Sequence, residues 1–385
     1  MKGERRNDKL RVKKERKQMR THFESISDPR QAWKVDNNLL EIVQMTLSAV
    51  ISGYEYWEEI VDFCKVKEAW FREKLGLALE NGIASHDTFQ RVFQLIDPIE
   101  LENSFISWVK SIAEQTKGEI ISIDGKTLCG SRDAKTKAIH MVSAWANANQ
   151  LVLGQVKTSE KSNEITAIPT LLELLELKGC IVTIDAMGCQ KDIAKKITAA
   201  QADYVLRLKG NQTTLHDDVR LYFETATQTP RFYPSTSNST KEKSHGRIEK
   251  RYYTLSEDIG WLSQKSEWAG LKSIGMVRSV VETNGKTTEE TRFFISSLTD
   301  ISLFSKAVRG HWGIENSLHW CLDVVFREDL CRTRKDNSAE NFAVIRHMAV
   351  NILKKYPANM SLARKRRKCG YDPDFMADVL VSLLA

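Results

Sequence analysis

The sequence has no run of about twenty apolar residues, and no two of its seven cysteines form a Cys-x-x-Cys pair. The first absence excludes a membrane-spanning helix. The second, with an odd cysteine count, argues against both a disulfide framework and a zinc ribbon. The apolar stretch of a signal peptide is also missing, since the opening twenty residues are charged throughout. Together these absences lead us to expect a reduced, soluble, cytoplasmic protein. A generally basic surface is lacking as well: net charge is +7, but residues 1–20 hold ten Lys or Arg against three acids, which is the whole of that excess. Any nucleic-acid partner must therefore be held by local patches.

What is present divides by periodicity. A chain of 385 residues is long enough for more than one folding unit. Residues 1–20 bury too little to offset ordering and read as a basic flexible arm that contacts phosphates or simply stays solvated. From 21 to 115 the apolar spacing is helical. Leu39, Val43, Leu47 and Val50 mark one stripe, and Trp57, Ile60, Val61 and Cys64 another. Ser85 offers an N-cap to the helix that follows, and Asp97-Pro98 ends it. We read a separate N-terminal helical domain of four or five helices, a scaffold that carries a DNA-binding helix-turn-helix in some proteins and none in most.

After Gly118 the pattern turns to strands at Ile120–Ile123, Ile139–Ala146 and Leu151–Val156. Then follow a helix from Glu164 to Leu177 with Pro169 in its early turns, a strand at Ile181–Ile184, a helix at Lys191–Ala200 and a strand at Tyr204–Leu208. Periodicity establishes an α/β unit over 116–385. A β-rich insertion, with a hairpin signal at Asn284-Gly285, interrupts it at about 220–291. His245 in that insertion is read as a polar surface group. Helix returns at Ser302–Arg309, around Glu315, and at Asn341–Leu353. The basic run Arg364–Lys368 reads either as a phosphate contact or as a solvated face.

The candidate chemistry lies at strand ends. In Glu119-Ile-Ile-Ser-Ile-Asp-Gly-Lys126 an apolar strand closes on Asp124 and turns on a glycine, and Cys180-Ile-Val-Thr-Ile-Asp-Ala186 repeats the arrangement with Asp185. Two carboxylates on adjacent strands repel each other, so the pair makes sense mainly with a divalent cation between them. Either Asp alone reads equally well as a turn starter. The stretch His311-Trp-Gly-Ile-Glu-Asn-Ser-Leu-His-Trp320 adds Glu315, flanked one turn away on each side by His311 and His319. That stripe has zinc-compatible spacing too.

Together these stretches, with Asp28-Pro-Arg30 and Lys209-Gly-Asn-Gln212, resemble the Asp-Asp-Glu (DDE) transposases of bacterial insertion sequences, in particular the H-repeat-associated branch. The resemblance implies a ribonuclease H-like catalytic core. It also implies a transposase that cuts and joins DNA with Mg²⁺, Mn²⁺ substituting, held by Asp124, Asp185 and Glu315. Its partners would be double-stranded DNA, namely the element's terminal inverted repeats and the target, bound by a homodimer with no membrane involved. Lys209, His311, Trp312, His319, Arg332 and Arg334 are the DNA-contact candidates. His311 stands where relatives commonly have Arg, and Trp312 where an aromatic supports an unstacked base, although a core Trp fits equally. Asn37 and Glu41 replace the family's usual His and Asp, and Leu322 replaces a Lys. The rival readings are a plain nuclease of the same fold and a non-catalytic DNA-binding remnant of a mobile element. On a helical wheel Ile314, Leu318, Cys321 and Val325 form the packed stripe, with Glu315 at its border. Glu315 and not Glu328 is therefore expected to join the two aspartates within roughly 4–8 Å. Glu328 is expected to pair with Arg332 on the surface.

Overall fold

The computed structural model describes residues 21–114, 118–132, 137–158, 164–244 and 246–381. The basic arm and His245 lie outside the described residues. Helices α1 (Leu39–Ile51), α2 (Trp57–Val66), α3 (His86–Leu95) and α4 (Pro98–Ile112) occupy the N-terminal region. Both expected stripes are buried. Asn38 caps α1 and Ser85 caps α3 through their side-chain oxygens. Asp97 and Pro98 begin α4 as its cap and first residue, with Asp97 accepting from the Ile99 amide. Asn37 and Glu41 both tie the 76–82 loop to α1: Asn37 donates to Gly82 O, and Glu41 accepts from the Ala78 and Leu79 amides.

Nine strands form one sheet: β1 (Ile120–Leu128), β2 (Ile139–Ala146), β3 (Leu151–Lys157), β4 (Ile181–Ile184), β5 (Asp203–Leu208), β6 (Thr236–Ser244), β7 (Arg247–Ser256), β8 (Ser273–Thr283) and β9 (Lys286–Ser296). Their order is β3-β2-β1-β4-β5-β9-β8-β7-β6. β1, β4 and β5 run parallel while β2 is antiparallel to both β1 and β3. With α5 (Glu164–Leu174) and α6 (Lys191–Ala199) as crossovers, this is the ribonuclease H-like arrangement. Helix α5 stops three residues short of the expected Leu177. The chain leaves the helix there, but Leu177 still packs in the core.

The β-rich segment is not a detached subdomain. β9 pairs antiparallel with β5, so β6–β9 continue the core sheet. The Asn284-Gly285 hairpin forms, with φ of 51° and 75° at the two turn residues. The insertion was expected to begin near residue 220, in the middle of what is helix α7 (Thr213–Gln228). Leu215, Val219, Tyr222 and Phe223 are buried at helical spacing, a signal hidden by the polar residues between them.

Helix α8 (Ile301–Ile314) lies against the sheet, and Ser122 Oγ donates to Gly310 O at 3.2 Å. The approach is close: a Cβ at Gly310 would sit 3.1 Å from the Ile120 side chain, and one at Gly313 would overlap the Asn147 side-chain amide. Helices α9 (Ser338–Lys355), α10 (Leu362–Tyr371) and α11 (Pro373–Val381) close the chain. α9 shares one apolar core with the N-terminal helices, placing Phe342, Ile345 and Met348 among Trp57, Phe93 and Phe105. The buried Asn351 amide both accepts from and donates to the Val152 backbone, at 2.8 and 2.9 Å, and so stands in for a neighbouring strand at the exposed edge of β3. The basic run in α10 is partly structural. Lys365 and Arg366 are buried, the first on Leu353 O and Tyr356 O, the second on Val50 O and Glu55. No described helix is long and apolar enough to cross a membrane.

Glu102 in α4 is buried against β3, accepting from the Gln155 amide at 2.8 Å. Burial, with Glu340 nearby, pushes its pKa up to about 8. A carboxyl whose folded pKa is raised contributes stability below the ordinary value near 4.5 and loses it as pH rises toward the folded value. The loss runs at about 1.4 kcal/mol per pH unit. The thermal midpoint is therefore expected to fall between pH 6.5 and 8, and to fall less in Glu102→Gln. Parallel pH profiles for the two proteins would show that Glu102 is not the source.

Candidate active site

Parallel pairing of β1 with β4 covers Ile120–Ile123 against Ile181–Ile184 and then stops. The next residue on each strand is an aspartate, so Asp124 and Asp185 emerge side by side on the face toward α8. Asp124 is not the last residue of its strand, as the sequence had implied: β1 runs on to Leu128, paired with β2 alone. Gly125 is thus no turn. Its missing Cβ leaves room on the opposite face for the Glu164 carboxylate and the His140 ring, which bond to each other at 2.7 Å.

Glu315 follows the last residue of α8. From there the backbone takes two π-helical turns, Glu315–His319 and Cys321–Val325, with amides reaching back five residues from Trp320 to Glu315 and from Phe326 to Cys321. Ile314, Leu318, Cys321 and Leu322 are buried there. Val325, assigned to the stripe on a regular wheel, is only half-buried because the π turns change the angle per residue.

Asp124, Asp185, Glu315, Lys209, His311 and Trp312 line a single cleft of about 260 Å³. Thr183, Arg207 and Arg292 line it too; sequence reasoning had missed all three. Arg207 and Arg292 sit on neighbouring strands β5 and β9 and share Glu290, so only the strand pairing reveals them. Arg292 also lies over the Trp312 ring, 5.3 Å from its centroid. His311 is held by Thr183 at 3.1 Å, and burial depresses its pKa to about 4, so its ring is neutral at pH 7. His319 lies 3.6 Å from Asp124 and is likewise depressed to about 4 by burial, with Lys126 adding to the effect. His319, Arg332 and Arg334 do not line the cleft. Arg334 donates to Gly130 O at 2.8 Å.

Glu328 is a correction to the sequence reading. It is 2% exposed and pairs with Lys126 at 3.0 Å and Arg346 at 3.7 Å, not with Arg332. A short 3-10 turn (Glu328–Leu330) after the π segment aims it inward. Lys126 also meets Asp323 at 2.7 Å and Asp329 at 3.4 Å.

Burial, opposed by the bond from the Gly125 amide and reinforced by Asp185, Glu164 and Glu315, raises the Asp124 pKa to about 7. Among the described residues, no three His, Cys, Asp or Glu side chains stand close enough to hold a metal ion as they are. The donor set nevertheless suits one. Three carboxylates face one cleft, and Asp185 and Glu315 press Asp124 toward its neutral form, a repulsion that a hard divalent cation would relieve.

Comparison with known proteins fixes the family to which this fold and cleft belong. Residues 115–352 match the family model described as "Transposase DDE domain", and residues 20–109 match its "DDE_Tnp_1-associated" companion. The chain belongs to the DDE transposase family. It is 43% identical to the "H repeat-associated putative transposase YhhI" of Escherichia coli K12, covering 95% of this chain and 98% of that one. It is 46% identical to the "Uncharacterized protein in dhlA 3'region" of Xanthobacter autotrophicus over 72% of this chain and 93% of that one. Among solved structures, a piggyBac transposase synaptic complex with hairpin DNA aligns over 97% of this chain and 77% of that one. The TM-score is 0.38 and the identity 11%, too distant a likeness to bear on any residue.

Gly125→Ala is expected to cost about 1–3 kcal/mol of stability, because the new methyl meets two ordered side chains. Adding Glu164→Ala should recover part of that loss in a urea-unfolding double-mutant cycle. Strictly additive losses would show that Glu164 is not the obstacle.

Proposed function

We propose that this chain is an active DNA transposase that cuts the ends of its own element and joins them to a target duplex. One observation carries the reading: Asp124, Asp185 and Glu315 line a single cleft at the edge where the parallel strands stop, with Arg207, Lys209 and Arg292 around it. Asp124, Asp185 and Glu315 would hold Mg²⁺, or Mn²⁺ in its place, as hard oxygen ligands. A divalent cation, when bound by them, would supply charge stabilisation to the oxygens of a phosphodiester displacement.

The chain's own side chains supply the rest. Arg207 and Arg292, kept side by side by Glu290, present guanidinium groups to a phosphate entering the cleft, and Lys209 adds a third cation. Trp312, braced by Arg292, offers an aromatic surface at the wall. His311, neutral and fixed by Thr183, donates or accepts a hydrogen bond there without adding charge. Because water and a freed 3′-hydroxyl are both oxygen nucleophiles, one cleft serves strand cleavage and then strand transfer. The DNA partners in this reading are the terminal inverted repeats and the target, engaged by a homodimer.

The test is a purified-protein reaction on a linear duplex carrying the element's own end, with Mg²⁺ or Mn²⁺. Joined products are expected, while cut but unjoined ends would indicate a plain nuclease and no cutting a DNA-binding remnant. Asp124→Asn, Asp185→Asn and Glu315→Gln should each abolish cleavage, since an amide keeps the shape and loses the anionic ligand. Undiminished cutting by any of them removes that residue from the site.

A further inference from the structure

Lys126 lies two residues beyond Asp124 and so shares its face of β1. Its ammonium group is enclosed by Asp323 at 2.7 Å, Glu328 at 3.0 Å and Asp329 at 3.4 Å, and its side chain is only 10% exposed. Asp323 belongs to the second π-helical turn, continuous with the one that begins at Glu315. The Lys126–Asp323 contact therefore joins the strand that carries Asp124 directly to the helical segment that carries Glu315.

We propose that Lys126 is a positioning residue: by gripping Asp323 it fixes the separation of Asp124 from Glu315. The proposal rests on the reading of those two carboxylates as metal ligands. Contact with a DNA phosphate is the obvious alternative role for a lysine beside this cleft. It fits poorly, because three carboxylates already surround this charge and Lys126 does not line the cleft. The backbone explains why such a grip is needed. π-helical turns are rare and occur mostly singly inside α-helices, so a segment with two of them calls for contacts that fix its path. Here those contacts come from both ends. Leu318 and Leu322 pack inward, and Asp323 is drawn to β1.

Behind Lys126 the grip is anchored in protein, not solvent. Glu328 passes from Lys126 to Arg346 in α9, and Arg346 pairs with Glu55 at 3.1 Å between α1 and α2. Glu55 also holds Arg366 in α10. The lysine therefore has a fixed base from which to set the position of Asp323.

The test measures Mn²⁺ binding to the full chain without DNA, by electron paramagnetic resonance of free Mn²⁺, alongside cleavage kinetics. Asp323→Asn breaks the grip at its more exposed end and leaves Glu328 paired with both cations. It is expected to weaken Mn²⁺ binding by about tenfold and lower kcat, with KM for DNA unchanged and the thermal midpoint nearly so. Lys126→Met should do the same or more, and Lys126→Arg should restore most of the loss. Should Lys126→Met fail to fold, the Asp323→Asn result decides. Wild-type Mn²⁺ affinity in Asp323→Asn overturns the proposal. Asp124→Asn is the separate control: if it too binds Mn²⁺ as wild type does, the metal site itself is elsewhere.

Discussion

Four parallel residue pairs, Ile120–Ile123 on Ile181–Ile184, set the geometry on which the rest of this protein depends. Parallel pairing puts equivalent ends of two strands at the same edge, and both strands carry an aspartate one residue past the pairing. An antiparallel pair would have sent the two carboxylates to opposite ends of the sheet. Everything else near the cleft is arranged around that edge. α8 lies against the sheet with Gly310 and Gly313 facing Ile120 and Asn147 and delivers Glu315 to that edge, and β5 and β9 bring Arg207 and Arg292 to the same opening.

Charge is handled differently at two points along one face of β1. In the cleft, burial first and the neighbouring acids second make Asp124 resist ionisation. A few ångströms further along the same strand, Lys126 is surrounded by carboxylates and its pKa is raised, although burial alone would lower it. Buried ion pairs of that kind contribute little net stability, because removing the ions from water costs about as much as their attraction returns. What they supply is placement, since a charge deprived of solvent has few alternatives to the partner it was given.

The sequence exposed the elements whose pattern is local. β2 and β4 fall at the residues expected, Asp124 and Asp185 stand out as acids that follow apolar strands, and Glu315 joins them through the family resemblance of its stretch. What escaped detection depends on long-range contacts. Arg207 and Arg292 are far apart in sequence and adjacent only because β9 returns to β5. Gly125 looked like a turn because glycine so often is one; the cause of its selection, Glu164 with His140, lies across the fold. Glu328 and the Lys365–Arg366 pair were read as surface groups because charged residues usually are, yet each finds a buried partner contributed by another segment. Helical-wheel reasoning placed Glu315 well and Val325 poorly, since the wheel assumes a constant turn and the backbone changes to π turns at Glu315.

The core shared by the N-terminal helices and α9 has a consequence for the order in which the molecule comes into being on the ribosome. Trp57, Phe93 and Phe105 emerge early, and their packing partners Phe342, Ile345 and Met348 roughly 240 residues or more later in the sequence. Until then that apolar surface has no permanent cover. The β1–β4 edge can form meanwhile, but the base behind Lys126 cannot, because Arg346 and Arg366 have not been made. A nascent or prematurely terminated chain therefore carries both aspartates without the framework behind Lys126, so the arrangement of the cleft is completed only when the last helices have been made.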